Sequence, residues 1–342
     1  MYYSSLDFYV KAFEDKPREY AFSAQSREEC VLWQSTLRNR LCEISGVNRG
    51  VRCEGRHEFL RTDDINGLSG EYHLLETEPD VWMPFYLFRP GEGGEHPILI
   101  IPHGHGGGKR EAVIGQEQFI RESLEDGFLV VCPDTRGSGD RREFPEQKEE
   151  PQAMRSNSHR ELLQVCIGFG RSVIGTAVWD LMRLADYLKS LPETGDFMAC
   201  AGMSGGGQQT LWWAALDERV NAAITSGYFY GMKESLIELP QNCACNFVPF
   251  LFETADMGDI GALIAPRPFF IESGKQDHLS GKSGLQNVYP QVETTRKAYR
   301  LLDSEECLIH SIHPEGHKWI GRGMREFLMS SRKRYTQMNE RS

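Results

Sequence analysis

The stretch Gly202-Met203-Ser204-Gly205-Gly206 is a G-x-S-x-G pattern between an apolar run, "FMACAGMS", and a helix-forming run, "QQTLWWAAL". A serine on a sharp strand-to-helix turn has a strained backbone, and its neighbours two residues away must be small to avoid clashing. Glycine at 202 and at 206 meets that demand. As a bare pattern the motif is weak; the strand before it and the helix after it make it specific. The chemistry implied is nucleophilic attack by the Ser204 hydroxyl.

A serine hydroxyl is a poor nucleophile until a base removes its proton and a carboxylate orients that base. When the nucleophile sits on such an elbow, the acid and then the histidine follow it along the chain. "FFIESGKQDHLSG" offers Glu272 and Asp277. Glu272 falls at a strand end, pinned in or beside the sheet, whereas Asp277 lies in the loop beyond and is the preferred acid. "LIHSIHPEGHKWIG" offers His310, His313 and His317. The first two belong to a strand and read as structural; His317, after Pro314 and Gly316, has the loop position a mobile base requires.

Upstream, "HGHGGGK" (103–109) admits three chemistries. A phosphate loop, G-x-x-x-x-G-K-[ST], fails because His103 stands where the first glycine belongs and Arg110 follows the lysine. A metal at His103 and His105 lacks the neighbouring ligands of an H-x-H-x-D or H-E-x-x-H pattern. A glycine turn presenting backbone amides to a developing oxyanion fits, with the amide of His105 as one donor and that of Gly205 as the other.

These residues need a scaffold. "PILIIPHG", "FLVVCPD" (128–134), "FMACAGMS" (197–204), "NAAITSG" (221–227), "RPFFIESG" (267–274) and "CLIHSIH" (307–313) are short apolar runs. Helix-like stretches at 111–126, 175–191, 208–217 and 291–302 separate them. Such alternation predicts a mostly parallel sheet with helices on both faces, with ligands bound beyond the carboxyl ends of the strands. Each candidate site residue follows one of these runs. Ahead of them, residues 1–60 read as a helical segment, with Val31, Leu32, Leu37, Leu41 and Ile44 as its apolar stripe, and 91–94 reads as a hairpin-like turn. The expected division is a helical segment over 1–60 and a catalytic domain over 61–342, with cap insertions at 138–170 and 231–262. The amino-terminal helices would either pack on that domain or mediate a homo-oligomer.

Composition excludes other classes. Apolar residues are 40% and charged residues 25% of the 342, which is globular. A net charge of −11 argues against nucleic acid. No apolar run approaches a membrane span, and "MYYSSLDFYVKAFEDK" lacks a signal-peptide pattern, so no membrane partner and a cytoplasmic location are expected. The nine cysteines form no C-x-x-C and read as reduced, mostly structural thiols; Cys243-x-Cys245 would ligate a metal only with partners from elsewhere.

Over residues 70–328 the chain resembles the α/β-hydrolase fold in its dienelactone hydrolase and acetyl xylan esterase-like branch. The resemblance rests on "HGHGGGK", "CPDTRGSGDR", "GTAVWDLMRLADYL", "GMSGGG", "DIGALIAPRPFFIESGKQDH" and "PEGHKW". It implies a cofactor-independent serine hydrolase with Ser204 as nucleophile, Asp277 as acid and His317 as base; neither a cofactor nor a resident metal is expected. Dienelactone hydrolases proper use a cysteine nucleophile where this chain has Ser204, which points away from that substrate. The expected substrate is a short acyl ester, an acetylated oligosaccharide or another small ester. A peptidase or thioesterase could use the same triad, and a non-catalytic binding protein could share the fold. Asp134 and Arg136 read as a pair bracing loops and Asp180 as a tie between its helix and the core. Tyr228, Phe229 and Tyr230 read either as a substrate wall or as core.

Overall fold

The computed structural model describes residues 3–91, 93–143, 157–239 and 242–340. Strands β1 (His57–Ile65), β2 (Leu68–Glu78), β3 (Val81–Phe88), β4 (His96–Ile100), β5 (Leu129–Pro133), β6 (Thr194–Met203), β7 (Ala222–Ser226), β8 (Phe269–Gly274) and β9 (Leu308–His313) form one sheet. Their spatial order is β1-β2-β3-β5-β4-β6-β7-β8-β9. From β5 through β9 every pairing is parallel, and β1, β2 and β3 add an antiparallel edge. β4, β5, β7 and β8 are buried on both faces, which is why they read as continuous apolar runs, whereas the edge strand β9 is largely half-buried. Their carboxyl ends all open on one side, and the candidate site lies there.

Two local expectations are corrected. Residues 91–94 do not close a hairpin, because β3 pairs with β5 rather than with β4; residue 92 lies outside the described residues. The hairpin turn is instead Asn66-Gly67, at φ 53° and 77°, the left-handed pair that matches the twist of β1 and β2. The helical reading of 1–60 also overshoots, since β1 begins at His57.

Helix Arg27–Ser45 starts at Ser26, whose hydroxyl accepts from the Glu29 amide, and stops at Gly46 in the left-handed region. Its buried stripe is Cys30, Gln34, Leu37, Leu41 and Ile44, whereas Val31 and Leu32 are exposed. At 100° per residue, positions 31 and 32 turn off the face set by 30, 34, 37 and 41. Gln34 Nε2 donates to the Ala262 and Ala265 carbonyls at 2.8 Å each, fastening this helix to the main domain. Among the described residues no single helix is long and apolar enough to cross a membrane.

Loops at the strand ends are held by buried ion pairs. Arg136 meets Asp180 through two bonds of 2.8 and 2.7 Å, and Arg141 adds a third at 2.7 Å. Burial alone would raise the Asp180 pKa, but the two guanidinium groups outweigh it and hold the carboxyl below its usual range. Arg136 also reaches Glu78 at 2.7 Å. The expected Asp134–Arg136 pair is therefore replaced by Asp180–Arg136, while Asp134 takes Lys109.

Candidate active site

Ser204 sits between β6 and helix Gly205–Leu216 with φ 56° and ψ −119°. A non-glycine residue held there stores roughly 1–3 kcal/mol of strain, which the surrounding packing must impose. The packing is tight: a side chain at Gly202 would come within 2.4 Å of the Gly206 backbone, and one at Gly206 within 2.1 Å of the Pro102 carbonyl. Ser204 N donates to the Ser226 carbonyl at 2.8 Å, fixing the elbow to β7.

Asp277 lies beyond β8 with its side chain only 3% exposed. One carboxylate oxygen accepts the Leu279 amide at 2.9 Å, and the other lies 2.8 Å from Nδ1 of His317. That contact gives Nδ1 the proton and leaves Nε2 free to accept one. His317 and Ser204 line the same cavity of about 380 Å³, with Gly104, His105 and Trp319. The fold thus brings Ser204, His317, Asp277, His105 and Gly205 to one place. Gly227, at φ 61°, leaves room for the imidazole; a side chain there would come within 3.0 Å of it.

Glu272 has a different duty. Fully buried, it accepts from Ser226 Oγ at 2.7 Å and from the Ile320 and Gly321 amides at 3.2 and 2.9 Å. It ties the ends of β7 and β8 to the loop just after His317. His310, in β9, contacts Ser273 Oγ at 3.1 Å, and burial pushes its pKa down to about 4. His313, at the strand end, is buried.

The glycine turn divides its residues. His103 accepts the Thr135 amide on Nε2 at 3.0 Å, so Nδ1 carries the proton that faces the Gly104 carbonyl at 2.6 Å. Both ring nitrogens are occupied within the protein, and the ring is buried. Lys109 is buried against Asp134 at 2.7 Å and Asp140 at 2.5 Å, so it does not face a ligand as a phosphate-loop lysine would. His105 lies over Gly205, where an added side chain would come within 3.0 Å of its ring.

His105 also corrects the expectation that nearby metal-type partners are lacking. Its Nε2 is 3.0 Å from Cys245 Sγ, and His159 Nδ1 is 3.1 Å from Cys243 Sγ. The donor atoms of His105, His159, Cys243 and Cys245 all lie within 4.8 Å of one another. A hydrogen bond from Cys245, aided by the two imidazoles and opposed by burial, holds the Cys243 thiol far below its usual pKa; burial drives Cys245 the other way. His159 comes from the first expected insertion and the cysteines from the second. The sequence carried the H-x-H and C-x-C patterns, but nothing linked positions so far apart. Much of the first insertion, 144–156, lies outside the described residues.

The aromatic triplet is divided too. All three are buried in one core cluster; Tyr228 and Tyr230 also line a second cavity of about 410 Å³ that borders Ser204, whereas Phe229 packs on Phe269. A larger cavity of about 670 Å³, under helix Leu6–Asp15, touches none of the candidate residues.

The dienelactone hydrolase family model matches residues 83–301, from β3 through helix Leu285–Leu301. The chain belongs to the dienelactone hydrolase family. A Bacillus subtilis protein designated a hydrolase, YtaP, is 26% identical over 244 residues, spanning 68% of this chain and 77% of that one. Among solved structures, a Bacteroides fragilis protein designated an acetyl xylan esterase superposes with TM-score 0.74 at 17% identity, over 92% of this chain and 83% of that one. Acetyl xylan esterase 1 of Thermoanaerobacterium sp. JW/SL YS485 gives 0.59 at 18%, over 92% and 95%. A glucuronoyl esterase from Solibacter usitatus gives 0.64 at 13%, over 93% and 97%. The likeness to these structures is one of fold: this chain has the α/β-hydrolase fold.

Proposed function

We propose that this member of the family is a serine carboxylic-ester hydrolase acting on short acyl esters, acetyl esters of small carbohydrates in particular. One observation carries the reading: the strained Ser204 shares a cavity with His317, whose Nδ1 lies 2.8 Å from the buried Asp277 carboxylate. In this reading His317 Nε2 takes the Ser204 proton as the oxygen attacks the ester carbonyl. Asp277 holds the ring in the required tautomer and stabilises its cation. The backbone amides of His105 and Gly205 receive the oxyanion, each such donor typically contributing about 3 kcal/mol. The C–O bond breaks as His317 returns the proton to the leaving alcohol; water then releases the acid by the same steps reversed.

The modest cavities of about 380 and 410 Å³ that both border Ser204 suit a short acyl group and a small alcohol. The names of the structural neighbours, acetyl xylan and glucuronoyl esterases, support a carbohydrate ester. Hydrolysis of p-nitrophenyl acetate, butyrate and octanoate by the wild type and by Ser204→Ala tests the proposal. A preference for acetate that disappears in the variant is expected. A well-folded wild type that hydrolyses none of the three, or a variant that keeps substantial activity, overturns it.

A further inference from the structure

The side chains of His105, His159, Cys243 and Cys245 perform no step of the reaction just described, yet together they have the composition of a metal site. Two thiols and two imidazoles converge, with donor atoms within 4.8 Å of one another. Zinc with bonds of about 2.3 Å to sulfur and 2.0 Å to nitrogen spaces its ligand atoms roughly 3.3–3.8 Å apart. The contacts of 3.0 and 3.1 Å between imidazole nitrogen and sulfur already lie near that spacing, so only small side-chain adjustments are needed.

The surroundings are prepared as well. His159 Nε2 lies 3.1 Å from the Arg136 carbonyl, which can only accept, and 3.2 Å from Ser138 Oγ, so a proton on Nε2 serves the carbonyl bond. Its Nδ1 therefore directs a lone pair into the cluster, the outer-shell arrangement typical of a metal-bound histidine. Arg136 is itself fixed by Asp180 and Glu78. The Cys245 carbonyl accepts from Gln208 Nε2 at 3.0 Å, which anchors the cysteine loop to the helix that begins at the elbow. His159 and Cys245 are buried, Cys243 is half-buried and His105 is exposed, so the cluster has a buried inner half and an outer half that an ion can reach from solvent.

We propose that His105, His159, Cys243 and Cys245 bind one zinc ion in a closed tetrahedral site that joins the glycine turn to the two insertions. Thiolate and imidazole donors select zinc over magnesium or calcium. Four protein ligands leave no open position, so the ion is structural and carries no step of the hydrolysis. Its effect on the reaction centre is indirect: it pins the ring of His105, a residue that borders the cavity beside Ser204. The proposal stands whether or not the esterase reading holds.

The test uses the full chain without a histidine tag, purified in the presence of reductant and without chelator. Elemental analysis should give about one zinc per chain, released stoichiometrically when the thiols are titrated with a mercurial. Cys243→Ser and His159→Ala should each lose most of that zinc. Replacement of zinc by cobalt should produce the near-ultraviolet charge-transfer band of thiolate-bound cobalt, a wild-type measurement that stands even if the variants fail to fold. A folded wild type that neither contains zinc nor takes up cobalt overturns the site. So do zinc retained in both variants, a cobalt spectrum without thiolate character, and a Cys243–Cys245 disulfide in the reduced preparation.

Discussion

The glycine turn at 103–108 has two sides, built in different ways. On one, Ser204, Asp277 and His317 each follow a parallel strand, and the sheet brings them together at its carboxyl edge. On the other, His105 meets His159, the first residue of helix His159–Gly168, and the Cys243-x-Cys245 pair at the short 3-10 turn Ala244–Asn246, neither of them at a strand end. The first arrangement follows from local rules, an elbow with small neighbours and a loop after each strand. The second depends on how two insertions pack, and no periodicity encodes that. Side chains on the first side should govern rate; those on the second should govern stability.

The largest expected effect lies on the first side. Ser204→Ala should lower turnover of p-nitrophenyl acetate by about five orders of magnitude or more while leaving Tm unchanged; residual activity within a hundredfold of wild type would break the contrast. Next, Asp277→Asn should lower kcat about 10⁴-fold, because the amide favours the wrong imidazole tautomer. A loss of less than tenfold would transfer the acid's role to another residue.

On the second side the pattern should reverse. Cys245→Ser places a hydroxyl in a buried thiol site and should cost about 1–3 kcal/mol of stability by denaturant titration. At temperatures where the variant stays folded, kcat should fall by no more than about tenfold. A larger loss in rate than in stability would erase the distinction between the two sides.

Glu272 sharpens the comparison from within the first side. Glu272→Gln keeps the shape but weakens bonds to Ser226, Ile320 and Gly321, at a cost of about 1–2 kcal/mol in stability. Its kcat loss should be far smaller than that of Asp277→Asn, although both carboxylates leave the same strand.

The smallest effect concerns pH. His310 stays neutral in the fold down to about pH 4, whereas the unfolded chain binds a proton near the model-peptide value of about 6.5. The unfolded state therefore binds more protons between these values. The contribution of His310 is intact above the upper value and is lost as pH falls toward the lower. His310→Gln should flatten that part of the stability curve by on the order of 1 kcal/mol. An unchanged slope between pH 6.5 and 4 would show that His310 is not held neutral.

Much of this was legible before any coordinates. Buried parallel strands read as unbroken apolar runs, and loops after strands are where reactive side chains are displayed, so Ser204, Asp277 and His317 could be selected by position alone. Asn66-Gly67 carries a hairpin signal in its residue types, both at positive φ, whereas the glycines at 91–94 join two strands that do not pair with each other. In helix Arg27–Ser45, Val31 and Leu32 fit a loose apolar period but face solvent, because spacing alone does not say which side of a helix packs.

By itself the sequence determined the alternating α/β order, the elbow at Ser204 and the placing of Asp277 and His317 in loops just after their strands, since each rests on interactions within a few residues. Only the tertiary structure decided that Glu272 binds backbone amides while Asp277 orients His317, that Arg136 pairs with Asp180, and that His105 and His159 close around Cys243 and Cys245. Those outcomes depend on side-chain directions and distances between segments far apart in the chain, which spacing along it does not encode.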